Sequence, residues 1–527
     1  MDIGLISLIL LFGMLFLLAI GMPLGFASGF LAAVVMFLKF GPDLLLREFG
    51  TGPLNILAQR MYGLTTDYVL ISVPLFIFMA CLLERSGIAR DMYTSLNAWM
   101  SRTRGGIALV TAVMAIIMAA MSGIIGGEVV LLGLIALPQM LRLGYDQNLA
   151  IGTICASGSL GTMIPPSIVL IFYGLITETS IQALFKAAFL PGFVLASCYL
   201  LYIIVRTRLH PEQAPLPEPA DDDIPFREKT ILFVGLVALT VGGIAALYLG
   251  VQLLQLGFNL LFPPTDPEAE LPRVSWLAMA PYVLVPLVAL GAMGLARVKL
   301  AWQLGKGLVA PLLVVGVVLG SIYGGIAAIT EAAAMGTVAV IVLIIFRGEF
   351  TLELFREALM RTFKSTGTII WVTFGATALA GAYSIAGGPT YVANLITGAE
   401  LPTMGILLVM MVIFLFLGAF MDWVGIVLLV MPVFLPIVVQ LPLEEIGLLG
   451  TLEPRHVGVW FGILFCVNMQ VSFLSPPFGP AAFYLKSVAP PHITLPDIFR
   501  GFLPFIGLQL FVLGLVLCFP LITTVFL

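Results

Sequence analysis

Two proline pairs, Pro165-Pro166 and Pro476-Pro477, interrupt apolar stretches 311 residues apart, in GTMIPPS (Gly161 to Ser167) and SFLSPPFG (Ser472 to Gly479). Phe172-Tyr173 and Phe483-Tyr484 keep that same spacing. Proline removes an amide donor and crowds the preceding turn, so two together inside a helix free several carbonyl oxygens, which are good ligands for a hard cation. Upstream of each pair lies an apolar stretch too long for one helix. One is broken around MSGIIGGE (Met121 to Glu128), the other around GAFMDWVG (Gly418 to Gly425). Helix N-termini meeting at such a tip offer amides and positive dipole ends to an anion. Asp422 is a carboxylate in otherwise apolar surroundings and therefore a functional candidate, whereas Glu128 and Glu331 fit a helix-end role as well. Tyr173 and Tyr484 read first as packing or interface aromatics.

Other chemistries find little support. The cysteines Cys81, Cys155, Cys198, Cys466 and Cys518 are scattered through apolar segments without metal-ligand spacing, and read as packing residues. His210, His456 and His492 sit in polar or proline-rich connections, and no Ser/His/Asp set, zincin helix or phosphate loop is present. The net charge of −4 leaves no nucleic-acid footprint. An intramembrane enzyme would need a facing nucleophile and base, and no convincing pair stands out. A pure scaffold would leave the doubled breaks without purpose.

The elements that position these residues are membrane helices. Of 527 residues 61% are hydrophobic and 10% charged, with a mean hydropathy of +1.13, against about 25% charged in a soluble domain. Apolar runs near the roughly 20 residues that cross a bilayer recur throughout. The first, Ile3 to Ile20, lacks a basic start and reads as a retained span, not a signal peptide.

The chain repeats one plan twice. Gly21 to Lys39 resembles Thr330 to Arg347, and a polar amphipathic stretch follows each (Asp43 to Tyr62; Thr351 to Ser365). A span closed by Ser86-Gly87 or Gly387-Gly388 comes next, then a short amphipathic segment (Ile88 to Met100; Pro389 to Ala399). The interrupted stretch and the double proline complete each half. Residues 1–206 are thus a first inverted repeat, with a hairpin over about 105–144 and a broken helix over about 148–178. Residues 207–305 hold a linker and two inserted transmembrane helices, and 306–527 the second repeat, with a hairpin over about 404–440 and a broken helix over about 456–487. Counting hairpins as non-crossing, each half crosses an odd number of times, which inverts the second. Of 24 Lys and Arg, 18 then fall on the side of the first hairpin's ends and the 206–229 linker, and 6 on the side of both termini. By the positive-inside rule the first hairpin opens to the cytoplasm, the second to the periplasm, and both termini are periplasmic. Inverted repeats with paired interrupted helices point to a transport site at the bilayer midplane.

The strings PLFIFMACLLERSG, GYDQNLAIGTICASGSLGTMIPPSI and GGIAAITEAAAMG, with the MDW and SPPFG regions, resemble the large membrane subunit of the tripartite ATP-independent periplasmic (TRAP) transporters. The run GGEVVLLGLIALPQMLRLGYD is similar to the mannitol/chloroaromatic-like branch. This resemblance implies an all-α polytopic membrane protein of the elevator-type ion-transporter superfamily, with two re-entrant hairpins and two broken helices, in a bacterial inner membrane. It implies import of a small organic acid anion with sodium, a separate small four-helix membrane subunit, and a periplasmic binding protein that delivers substrate. That protein is expected to dock on acidic loops around Glu400 and Glu444 to Glu453. A self-sufficient sodium/dicarboxylate symporter of the same superfamily is the alternative.

Two sodium sites follow from the resemblance and the repeat. The first joins Ser122 and Gly123 at the hairpin tip to carbonyls of Gly161, Ile164 and Pro166. The repeat offset places the second at Ser472, Ser475 and Pro477, faced by Gly418 and Asp422. Substrate contacts are expected at Thr162, Ser167, Gly126 and Gly479. The first tip reads Ser122-Gly123-Ile124 where many family members have Ser-Gly-Ser, so any ion ligand at the third position is backbone.

Overall fold

The computed structural model describes residues 2–41, 52–100, 103–123, 125–216, 224–261, 276–398, 401–448, 452–477 and 479–527. Among these every regular element is helical, and eight helices are long and apolar enough to cross a membrane by length and composition. The chain forms two compact units. The larger comprises Met1–Ala89, Arg102–Leu216 and Pro311–Leu527, and the smaller Arg90–Ser101 and Pro217–Ala310.

Helix α1 (Ile3–Ala19) shows why lipid suits this surface. Ile6, Met14 and Leu17 are buried, yet Leu5, Leu8, Phe12 and Phe16 are exposed. A helix apolar on every face has no side for water. Helices α2 (Leu24–Phe40), α3 (Gly52–Thr65), α4 (Ser72–Arg85) and α5 (Ile88–Met100) follow. A first helical hairpin has arms α6 (Gly106–Ser122) and α7 (Gly127–Arg142). Beyond it α8 (Gln147–Ser159) ends in a 3-10 turn at Leu160–Thr162, and α9 (Ile168–Thr177) resumes after the prolines, before α10 (Ile181–Leu209).

In the smaller unit α11 (Phe226–Leu261) packs on α12 (Trp276–Met293), with Gly235 against Met293 and Gly242 against Pro286. The start of α13 (Leu295–Tyr323) joins them through Gly305 against Leu236 and an Arg297–Glu228 ion pair of 2.7 Å.

The second half of the larger unit runs through α14 (Ile329–Phe346), α15 (Leu352–Ile385) and α16 (Gly388–Thr397). A second hairpin has arms α17 (Thr403–Gly418) and α18 (Trp423–Gln440). Helix α19 (Val457–Leu474) breaks at Pro476-Pro477 before α20 (Pro480–Lys486), followed by α21 (Leu495–Cys518) and α22 (Leu521–Thr524).

Elements matched by the sequence pattern pack in exchange. Helix α2 lies on α15, where a Cβ at Gly375 would meet the Gly25 carbonyl at 2.0 Å. Helix α14 lies on α4, where the Thr337 hydroxyl donates to the Leu75 carbonyl at 3.1 Å. Small residues at such seams let backbones approach closely, which is how membrane helices gain packing without a hydrophobic driving force.

One element differs from the sequence expectation. The amphipathic stretch Thr351 to Ser365 and the span after it form a single 34-residue helix, α15. In the first half α3 and α4 are separate, divided by a 3-10 turn at Tyr68–Ile71 that Asp67 caps by accepting from the Val69 amide at 2.9 Å. Asp67 and Pro74 supply the stop and restart there, and α15 contains no proline.

Candidate transport site

The first hairpin tip is built from a helix end and a left-handed glycine. Helix α6 ends at Ser122, and Gly123 takes φ +66°, a conformation open to glycine at no steric cost. The Gly123 carbonyl accepts the Ile168 amide at 3.0 Å, and a Cβ on Gly123 would stand 2.6 Å from the Pro166 carbonyl oxygen. The tip backbone is therefore seated on the break itself. Ile124 lies outside the described residues.

Within the break, Gly161, Thr162, Ile164, Pro166 and Ser167 are all buried. The Ser167 hydroxyl donates to the Thr162 carbonyl at 2.5 Å, the Cys466 thiol donates to the same oxygen at 3.0 Å, and the Thr162 hydroxyl donates to the Ser159 carbonyl at 3.0 Å. The Gln470 amide donates to the Thr162 hydroxyl oxygen at 2.5 Å, and its own oxygen lies 2.9 Å from the donating Ser159 hydroxyl. Ser159 and Gln470 are themselves 311 apart, so two repeat-related positions meet. Thr162 and Ser167 are thus occupied within the protein, buried beneath the tip.

The second tip has a different partner. A Cβ on Gly418 would stand 2.0 Å from the Ser472 hydroxyl oxygen and 2.5 Å from its Cβ. Asp422, at the N-terminus of α18, is exposed. It lines a cavity of about 200 Å³ with Gly418, Trp423, Met469, Ser472 and Pro480. Ser475 is half-buried and donates to the Val471 carbonyl at 2.8 Å, while Pro476 and Pro477 are exposed. Gly479 is buried, its Cβ position 2.9 Å from the Ser475 carbonyl. Both proline pairs are joined by cis peptide bonds.

Each tip also reaches the other half's break. A Cβ on Gly126 would meet the Tyr484 ring at 3.0 Å, so Gly126 sits against α20 and not in the first break. Reciprocally, Trp423 packs edge-on to Phe172 of α9 with ring centroids 5.7 Å apart. The donors gathered at both tips are oxygens. Among the described residues no group of three or more His, Cys, Asp and Glu could hold a metal ion, and all five cysteines are free. Glu331, in the first turn of α14, is exposed and accepts from the Tyr68 hydroxyl at 3.0 Å.

The family profile described as "Tripartite ATP-independent periplasmic transporter, DctM component" matches residues 11–522. The chain belongs to this family. It is a polytopic subunit of a TRAP transporter and not an enzyme. Similar proteins include the C4-dicarboxylate TRAP transporter large permease protein DctM of Pseudomonas aeruginosa, 26% identical over 94% of this chain and 92% of that one. The ectoine TRAP transporter large permease protein TeaC of Halomonas elongata is also 26% identical, over 96% and 95%. The isethionate TRAP transporter permease protein DctMQ of Oleidesulfovibrio alaskensis is 23% identical over 97% of this chain but 64% of its own length.

The residue pattern alone did not single out Gln470 and Ser159, which bridge the two broken helices, nor the pairing of Ser122 with Glu128. The 311 offset was the available signal for the first pair; nothing in the spacing marked the second.

Proposed function

We propose that this TRAP permease carries a small organic acid anion inward across the inner membrane together with sodium, receiving it from a periplasmic binding protein. The observation that carries the reading is the seating of each hairpin tip on a double-proline break, Gly123 on the Pro166 carbonyl and Gly418 on Ser472. Oxygen donors gathered at a backbone break suit a hard, weakly bound cation, and irregular backbone at membrane depth persists only where protein or a wet cavity satisfies it. On this reading Ser122, Gly123, Gly161, Ile164 and Pro166 hold one sodium ion, and Gly418, Asp422, Ser472, Ser475 and Pro477 another. The cavity beside Asp422 is the entry to the second. The hairpins move with the broken helices against the scaffold of α2, α4, α14 and α15. The inverted repeats, the cytoplasmic opening of the first hairpin and periplasmic termini complete the proposal.

Relatives equally similar to this chain are named for C4-dicarboxylates and for ectoine, so the proposal stops at the class of small organic acids. A separate small membrane subunit is part of it, because the insertion after the first repeat holds two helices, α11 and α12, and not the four of that subunit. Two sodium ions with a monoanion would move one net positive charge inward. A tenfold sodium gradient supplies about 1.4 kcal/mol per ion, and 100 mV adds about 2.3 kcal/mol. The drive of roughly 5 kcal/mol supports an accumulation of about a thousandfold or greater.

Proteoliposomes holding this chain and its small subunit test the reading. Uptake of organic acid should stay near background until binding protein is added, and should fall away when choline replaces external sodium. Full uptake without the binding protein would favour the self-sufficient symporter, and uptake indifferent to sodium would remove the ion coupling.

A further inference from the structure

Glu128 is a buried carboxylate with one oxygen left unpartnered. It lies in the first turn of α7 at the hairpin tip and is 1% exposed. One of its oxygens accepts the Ser122 hydroxyl, and the other, Oε2, is buried without a hydrogen-bond partner. Among the described residues no cationic group pairs with it. Another carboxylate, Glu84 of α4, presses on the adjacent Gly127 and is itself paired with Arg361 at 2.9 Å. A buried carboxylate with no positive partner is costly, and inside a membrane such a group marks an ion or proton path.

We propose that Glu128 is the anionic ligand of the first ion site: its free oxygen, beside Ser122, neutralises the cation that the tip and the Pro166 break enclose. This rests on the sodium reading above and adds a residue to it. Ser122 links the two, since its hydroxyl bonds Glu128 while the following Gly123 is seated on Pro166. The first site then resembles the second in charge: each hairpin contributes one carboxylate near its tip, Glu128 six residues after Ser122 and Asp422 four residues after Gly418. A carboxylate at each site also explains how two cations can be bound at membrane depth with carbonyl and hydroxyl donors as their other ligands.

The test uses purified permease with its small subunit, titrated with sodium against choline while thermal stability is followed, and the same proteins in proteoliposomes. Glu128→Gln keeps the shape and the Ser122 hydrogen bond while removing the charge. The sodium concentration for half-maximal stabilisation should rise about tenfold or more, as for loss of one charged ligand, with the unfolding temperature in choline nearly unchanged. Glu128→Asp, which keeps the charge on a shorter arm, should fall between Glu128→Gln and the natural protein. A Glu128→Gln protein with an unaltered sodium response overturns the proposal, because Gln mimics the neutral acid. Should Glu128→Gln fail to fold, Glu128→Asp decides: sodium affinity equal to that of the natural protein overturns it too. A natural protein that shows no sodium response at all sinks the sodium reading itself, which is a different result.

Discussion

The two double-proline breaks share a sequence pattern and differ in how they are closed. The first is buried from Gly161 to Ser167, and its tip rests on backbone, the Pro166 carbonyl. The second leaves Pro476 and Pro477 exposed, and its tip rests on a side chain, the Ser472 hydroxyl, beside the cavity that Asp422 lines. Gln470 belongs to the second broken helix yet spends its amide on Thr162 of the first. Free carbonyls are common to both breaks. What separates them is the supply of polar side chains, which the first break receives from its own Ser167 and from its counterpart helix.

That difference makes the two tips unequally tolerant. Gly123→Ala should be the most damaging change, because the added methyl meets a carbonyl that cannot swing aside and φ is positive. The left-handed conformation costs about 1–2 kcal/mol and the overpacking a similar amount, so initial uptake rates should fall about a hundredfold. Gly418→Ala meets a side chain instead. It should lower uptake about tenfold, and the double variant Gly418→Ala/Ser472→Gly should recover much of the loss. If Gly418→Ala proves as damaging as Gly123→Ala and is not rescued, the contrast between backbone and side-chain seating is wrong.

Stability should divide the same way. Gln470→Leu leaves the buried Thr162 hydroxyl oxygen without its donor, while Ser159 can still donate to the Ala156 carbonyl; the penalty of about 1–3 kcal/mol should be read as a lower unfolding temperature of the purified protein. Ser475→Ala at the open break should cost less than about 0.5 kcal/mol. Equal losses would mean that both breaks are sealed alike in solution. On sodium affinity the effect of Ser122→Ala should be mild. Removing one hydroxyl of a shell rich in backbone oxygens should raise the sodium concentration for half-maximal uptake only about threefold, a loss near 0.7 kcal/mol.

Much of this was legible in residue order. The hairpin arms lie at Gly106–Ser122 with Gly127–Arg142 and at Thr403–Gly418 with Trp423–Gln440, and the glycines between the arms and the prolines after them are visible in the sequence. Glycine clusters and proline pairs act locally, through φ and a missing amide, so they can be read without knowing the fold. The continuous α15 escaped this reading because amphipathicity changed at about Ser365 while nothing there breaks a helix. Polarity reports what surrounds a segment, and only proline, glycine or a cap decides whether the backbone turns.

The sequence by itself determined the membrane class, the number and place of the interruptions, and the pairing of the halves, because each depends on hydropathy or local backbone chemistry. Only the tertiary structure decided which break is sealed, that Ser159 meets Gln470, that each tip touches the opposite half, and that Glu128 is buried with no cationic partner among the described residues. The physical reason lies in the helices themselves. Where a helix such as α19 is apolar on nearly every side, its sequence carries no signal for which face meets which neighbour, and the rotation is fixed only when small residues and a few buried polar groups find their partners in the packed protein.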